Sequence, residues 1–175
     1  MKSLILFILC CVTITTGFTQ IENPNIAMST IKSSILNEDR TIQIYTPDGY
    51  AESDKKYPVL YVLDGQEYFL LGLAYQDMLR FRDKSPEFIV VGINTDRRKR
   101  RVLFYNESDK FINFLETELI PFMDTNYRTK KEKERLFFGW EMGAGLGFEI
   151  LAERNDLFSG FILASPTHST DKRIN

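Results

Sequence analysis

The sequence predicts an α/β fold: a mostly parallel sheet with helices on both faces, preceded by an N-terminal antiparallel hairpin. Three observations predict it. Short apolar runs at Tyr57–Leu63, Phe88–Ile93, Arg135–Phe138 and Gly160–Ala164 have the length of strands, and the first two have the β-branched and aromatic content of strands buried on both faces. Between them lie longer segments whose apolar residues recur at three- and four-residue spacing, the mark of amphipathic helices. Strand and helix in alternation require crossover connections, and these make neighbouring strands parallel.

The first nineteen residues stand apart from this pattern. Lys2 supplies a positive start, Leu4 to Ile14 an apolar run, and Gly17-Phe18-Thr19 a small-x-small pattern ahead of Gln20. Together they predict a secretory signal peptide over 1–19, cleaved near Thr19/Gln20, and an exported chain, periplasmic or extracellular, over 20–175. The run is too short to span a bilayer, which needs about twenty apolar residues. Cys10 and Cys11 are the only cysteines, so the mature chain is expected to have no disulfide, thiolate metal site or cysteine nucleophile. The formal net charge of -2 gives no reason to expect nucleic acid as a partner.

Each element follows from its local pattern. Ile26 to Leu36 and Arg40 to Tyr45 alternate apolar and polar residues around Asn37-Glu38-Asp39, which predicts a hairpin. Thr46-Pro47-Asp48-Gly49 ends it, and a polar loop leads to the strand that Asp64-Gly65 closes. Glu67 to Phe81 reads as a helix with Phe69, Leu70, Leu73, Tyr75 and Leu79 on its buried face. Lys110 to Met123 is a second helix, through Phe111, Phe114, Leu115, Leu119 and Phe122. Arg135 to Phe138 is a strand, Leu146 to Arg154 the helix after it, and Gly160 to Ala164 the last strand. No repeat or linker interrupts the chain, so one domain is expected.

Between that strand and that helix stands Gly139-Trp140-Glu141-Met142-Gly143-Ala144-Gly145. A strand running through a glycine-flanked turn into a helix is the layout that holds an exposed nucleophile in a strained turn. The glycines at 139 and 143 lie two residues either side of Glu141, where a side chain would crowd the turn. Glu141 itself is expected to have an unfavourable backbone conformation.

These stretches together resemble the putative-esterase family of α/β hydrolases, with its siderophore esterases, feruloyl esterases and S-formylglutathione hydrolase. The resemblance covers roughly Leu36 to Thr167. It rests on the order and spacing of Asp39 to Pro47, Lys56 to Gly65, Val90 to Arg97, Phe114 to Pro121, the glycine-flanked turn, and Phe158 to Pro166. The implied fold is α/β-hydrolase-like, with the later part of the sheet missing, so the chain is expected to be marginal or completed by self-association or a partner chain.

The resemblance also implies a site. Serine, acid and histidine would act in that chain order, with a serine where this chain has Glu141. The family's acid and histidine would lie later than His168 and Asp171, which read as a surface-loop histidine and a tail charge. The oxyanion donors would be the backbone amides of Met142 and Gln66, and the Glu141 carboxylate could fold toward them and occupy the anion site. No cofactor and no metal is implied. Arg97-Arg98-Lys99-Arg100-Arg101 could attract an anionic substrate at this end of the sheet, but reads first as an exposed loop.

Three functions follow from these observations. The first is an exported esterase-family domain without serine-esterase activity, and the second a non-catalytic module that keeps the pocket for a small ester-like ligand. The third is an active hydrolase that uses Glu141 or is completed by another chain.

Overall fold

A computed structural model describes residues 23, 25–81, 85–130 and 134–167. The segment expected to be a leader, its expected cleavage point, His168 and Asp171 lie outside the described residues.

One sheet of six strands organises the chain, in the order β1-β2-β4-β3-β5-β6. The hairpin is β1 (Ile26–Ser33) and β2 (Glu38–Tyr45), paired antiparallel in the register Ile26 to Tyr45 through Ser33 to Glu38. β2 runs antiparallel to β4 (Ile89–Ile93). From there β3 (Val59–Leu63), β5 (Arg135–Trp140) and β6 (Gly160–Ala164) continue the sheet in parallel. This is the mixed α/β architecture that the apolar runs predict.

All five residues of β4 are buried, and four of the five in β3. Alternate side chains therefore feed two cores. Val59, Tyr61, Leu63, Ile89, Val91, Ile93 and Phe137 join the larger one, beneath α2 (Ser108–Phe114), α3 (Ile120–Asn126) and α4 (Met142–Glu153). Val62 and Val90 face the other way, against Phe69 of α1 (Gly65–Phe81). Helices thus cover both faces.

Several boundaries differ from the sequence reading. The hairpin turn is at 34–37, so Glu38 and Asp39 belong to β2; Glu38 is held in place by ion pairs with Arg40 and Lys99. The helix expected over 110–123 is a longer helical arm, with π-helical turns at Val102–Asn106 and Leu115–Leu119 that place Leu103, Phe104, Leu115 and Leu119 in the core. α4 begins at Met142 rather than Leu146, because the glycines of the turn continue as its first turns.

On α1, Phe69 is buried and Leu73 half-buried, whereas Leu70 is 68% exposed and Tyr75 also exposed. Gln76 is buried in their place, because its Oε1 accepts the Phe88 amide hydrogen at 2.9 Å and ties the helix to the start of β4. Leu71 and Tyr75 instead wall an apolar cleft of about 460 Å³ over Leu136, Phe138 and Ile162, where no helix among the described residues covers β5 and β6.

Tyr61 is fully buried in the larger core, and its hydroxyl has no hydrogen-bond partner among the described residues. Burial pushes its ionisation well above the ordinary tyrosine range. A buried hydroxyl without a partner keeps its desolvation cost uncompensated. Tyr61→Phe, which removes the oxygen and keeps the ring, is expected to stabilise the fold by about 1 kcal/mol, read as a higher midpoint in urea unfolding.

Candidate functional site

The parallel strands deliver their carboxyl ends to one edge of the sheet, and the chain turns there into helices. Asp64 stands between the end of β3 and the start of α1, and Glu141 between the end of β5 and the start of α4. Both residues have left-handed backbones, with φ 52° at Asp64 and φ 47° at Glu141, where ψ is -110°. Non-glycine residues rarely adopt such angles, and holding them there costs on the order of 1–3 kcal/mol each.

Close approach of backbone to backbone leaves the turn little freedom. A Cβ at position 139 would stand 2.4 Å from the Gly143 carbonyl, so only glycine fits beneath the first turn of α4. At Gly143 a Cβ would lie 3.3 Å from Leu63 Cδ1 and 3.9 Å from Asp64 Oδ2, a measure of how closely the β3–α1 and β5–α4 turns pack. The end of β6 fixes the apex from the other side. The Glu141 amide donates to the Ala164 carbonyl at 3.0 Å, and the Thr167 amide donates to the Glu141 carbonyl at 3.2 Å.

Met142 and Gln66 are in the first turns of α4 and α1. The Gln66 side chain turns away from the elbow, where its Oε1 accepts the Thr95 amide hydrogen at 2.9 Å. The Glu141 carboxylate bonds to neither backbone amide. Arg100 takes it instead, with Nη1 3.5 Å from Glu141 Oε2 and Nη2 2.9 Å from Asp64 Oδ2.

The basic run is therefore not a bare exposed loop. Arg97 pairs with Glu67 at 2.6 Å, Arg98 with Asp96 at 3.1 Å, and Lys99 with Glu38. Arg100 turns inward, its side chain 15% exposed, between a carboxylate 1% exposed at Asp64 and one 49% exposed at Glu141. Sequence reasoning missed both Arg100 and Asp64 as site residues. Asp64 was visible only as a turn residue after a strand, and nothing in a run of five cations distinguishes the fourth.

Burial pushes the Asp64 carboxyl up to about 6, against the opposing pull of Arg100. Beside the elbow, Tyr68 stacks on Trp140 with ring centroids 6.0 Å apart and leans on Phe138 at 5.8 Å. A polar pocket of about 290 Å³ opens on the other side of Gln66, lined by Arg40, Asn94 and Asp96 among others. Away from this edge, the carboxylates of Asp109, Glu149 and Glu153 lie within 4.8 Å of one another, and Ser108 donates to Glu149 at 2.7 Å. That is the one acidic group of metal-ligating size among the described residues.

Two predictions follow from this geometry. Because a Cβ is what makes φ 47° costly, Glu141→Gly is expected to be more stable than Glu141→Ala by about 1 kcal/mol in thermal or urea unfolding, the reverse of the order in a helix interior. Asp64 holds its proton in the folded chain at pH values where the unfolded chain has released it. Its contribution is full below the ordinary value of 3.8 and is lost as pH rises toward about 6. A pH series of unfolding free energies is expected to fall across that window in the wild type and to flatten in Asp64→Asn.

Comparison with known proteins agrees with this architecture. Among solved structures, an IroE-like serine hydrolase from Shewanella oneidensis is similar at 25% identity and a TM-score of 0.70, over 81% of this chain and 50% of that one. The BES protein from Bacillus cereus is similar at 22% identity and a TM-score of 0.77, over 87% of this chain and 65% of that one. A CE1 ferulic acid esterase from the anaerobic fungus Anaeromyces mucronatus is similar at 25% identity and 0.68, over 87% and 62%. The chain therefore spans about half to two-thirds of the length of these neighbours. No curated protein sequence matches it. The family profile described as "Putative esterase" matches residues 33–172, and with four-fifths of its length so matched the chain belongs to that family of α/β hydrolases.

Proposed function

We propose that this chain is an exported esterase-family domain whose elbow holds a small ester-like ligand without the serine chemistry of a serine hydrolase. The observation that carries the reading is the apex residue. A serine hydrolase needs a hydroxyl there, free to attack a carbonyl and backed by a base. This chain has a carboxylate, and Arg100 engages it from 3.5 Å. A carboxylate stabilised by a guanidinium is a poorer nucleophile than a free one, which argues against an ester-forming role for Glu141 as well.

What the elbow retains favours binding. The first-turn amides at Met142 and Gln66 belong to helices that begin at this edge, and such amides suit a polarised carbonyl oxygen. The stacked Tyr68 and Trp140 add an aromatic wall. Export rests on the apolar run Leu4 to Ile14, behind Lys2 and ahead of Gly17-Phe18-Thr19.

A chromogenic short-chain ester assay on the chain without its leader tests the reading. Wild type and Glu141→Ala are both expected to match the buffer rate. Turnover by the wild type that disappears in Glu141→Ala would overturn the proposal in favour of a carboxylate nucleophile. Turnover that survives in Glu141→Ala would place the chemistry elsewhere and overturn it equally.

A further inference from the structure

Arg100 is the inward member of a run whose other paired cations are spent on exposed or half-buried carboxylates, and its two partners differ in kind. Asp64 is buried and 2.9 Å away; Glu141 is half exposed and 3.5 Å away. Nη2 is engaged by Asp64 and Nε is buried, whereas Nη1 is held only by the longer contact to the half-exposed Glu141, so Nη1 is the donor that a displaced Glu141 releases. Asp64 and Glu141 also stand immediately before α1 and α4, so the amino-terminal ends of both helices lie at this cluster. Their partial positive charge adds to that of Arg100.

We propose that Arg100 is an anion receptor at the elbow, that Glu141 is its built-in occupant, and that the site takes a small oxyanion, carboxylate or phosphate, once Glu141 is displaced or neutralised. The planar fork of arginine matches both groups. Charge balance decides when the site opens. In the wild type two carboxylates face one guanidinium, and a further anion meets net repulsion. Remove the charge at 141 and Asp64 balances Arg100, which leaves the released Nη1 and both helix ends to attract the ligand. The exposed, longer contact to Glu141 is the one that yields, because solvent screens it while Asp64 stays dry. This inference rests on the reading of the elbow as a binding site, and names the chemistry that would be bound there.

The test is a titration of wild type and Glu141→Gln with sodium acetate and, separately, with inorganic phosphate at constant ionic strength, followed through the Arg100 Nε–H resonance. Glu141→Gln is expected to bind at least one of the two about tenfold more tightly than the wild type, with the Arg100 signal moving. Response to acetate alone supports the receptor and identifies a carboxylate ligand; response to phosphate alone supports it and identifies a phosphate. Adding Arg100→Lys, which keeps the charge that balances Asp64 but loses the fork, is expected to return the affinity to the wild-type level. Equal affinity in wild type and Glu141→Gln, or binding that leaves the Arg100 signal still, would overturn the proposal. Ester turnover is a separate readout, so this proposal and the preceding one fail independently.

Discussion

The two-sided burial of β3 and β4 is the constraint on which the rest of the molecule depends. A strand with no solvent face must be roofed on both sides, so the chain has to supply α1 to one face and the helical arm with α4 to the other. Parallel neighbours then require every crossover to start from the same edge. The site is a by-product of that requirement. Strand ends, helix starts and the loop after β4 crowd together there, whatever side chains they carry.

How much of this was legible in the sequence depends on which force wrote each feature. β3 and β4 could be read because desolvation of a strand demands an unbroken apolar run. The hairpin turn was misplaced because Glu38 and Asp39 look like turn residues, and only partners distant in sequence, such as Lys99, give Glu38 a place in a strand. The outward Tyr75 defeated a helical-face argument, since the sheet beneath part of α1 is open and no periodicity distinguishes an apolar wall of a cleft from an apolar core. The π-helical turns leave no pattern in the residue spacing that a 3.6-residue period can recognise. At the site, the glycines could be read from spacing. The Asp64–Arg100–Glu141 cluster could not, because it joins three loops through tertiary contact alone.

Family membership and the residue at the apex of the turn are separate matters in this chain. Its fold is that of esterases, yet the neighbours are matched over only half to two-thirds of their length, and the apex residue is acidic. The carboxylate there has been accommodated rather than merely tolerated. A cation from the loop after β4 reaches across to it, and the same cation neutralises a buried aspartate that would otherwise stand alone in a dry site.

Ser165, at the end of β6, has φ 47°, nearly the angles of Asp64 and Glu141 at the ends of β3 and β5. Three adjacent strands are thus each followed by a non-glycine residue with positive φ, only one of them at the position that holds the nucleophile in a serine hydrolase of this fold. The positive φ is a property of how this sheet edge is finished, inherited by the backbone irrespective of reactivity. Residues at such exits can drift between hydroxyl and carboxylate without erasing the contour that makes the place look catalytic, so shape and reactivity at this edge are separately mutable.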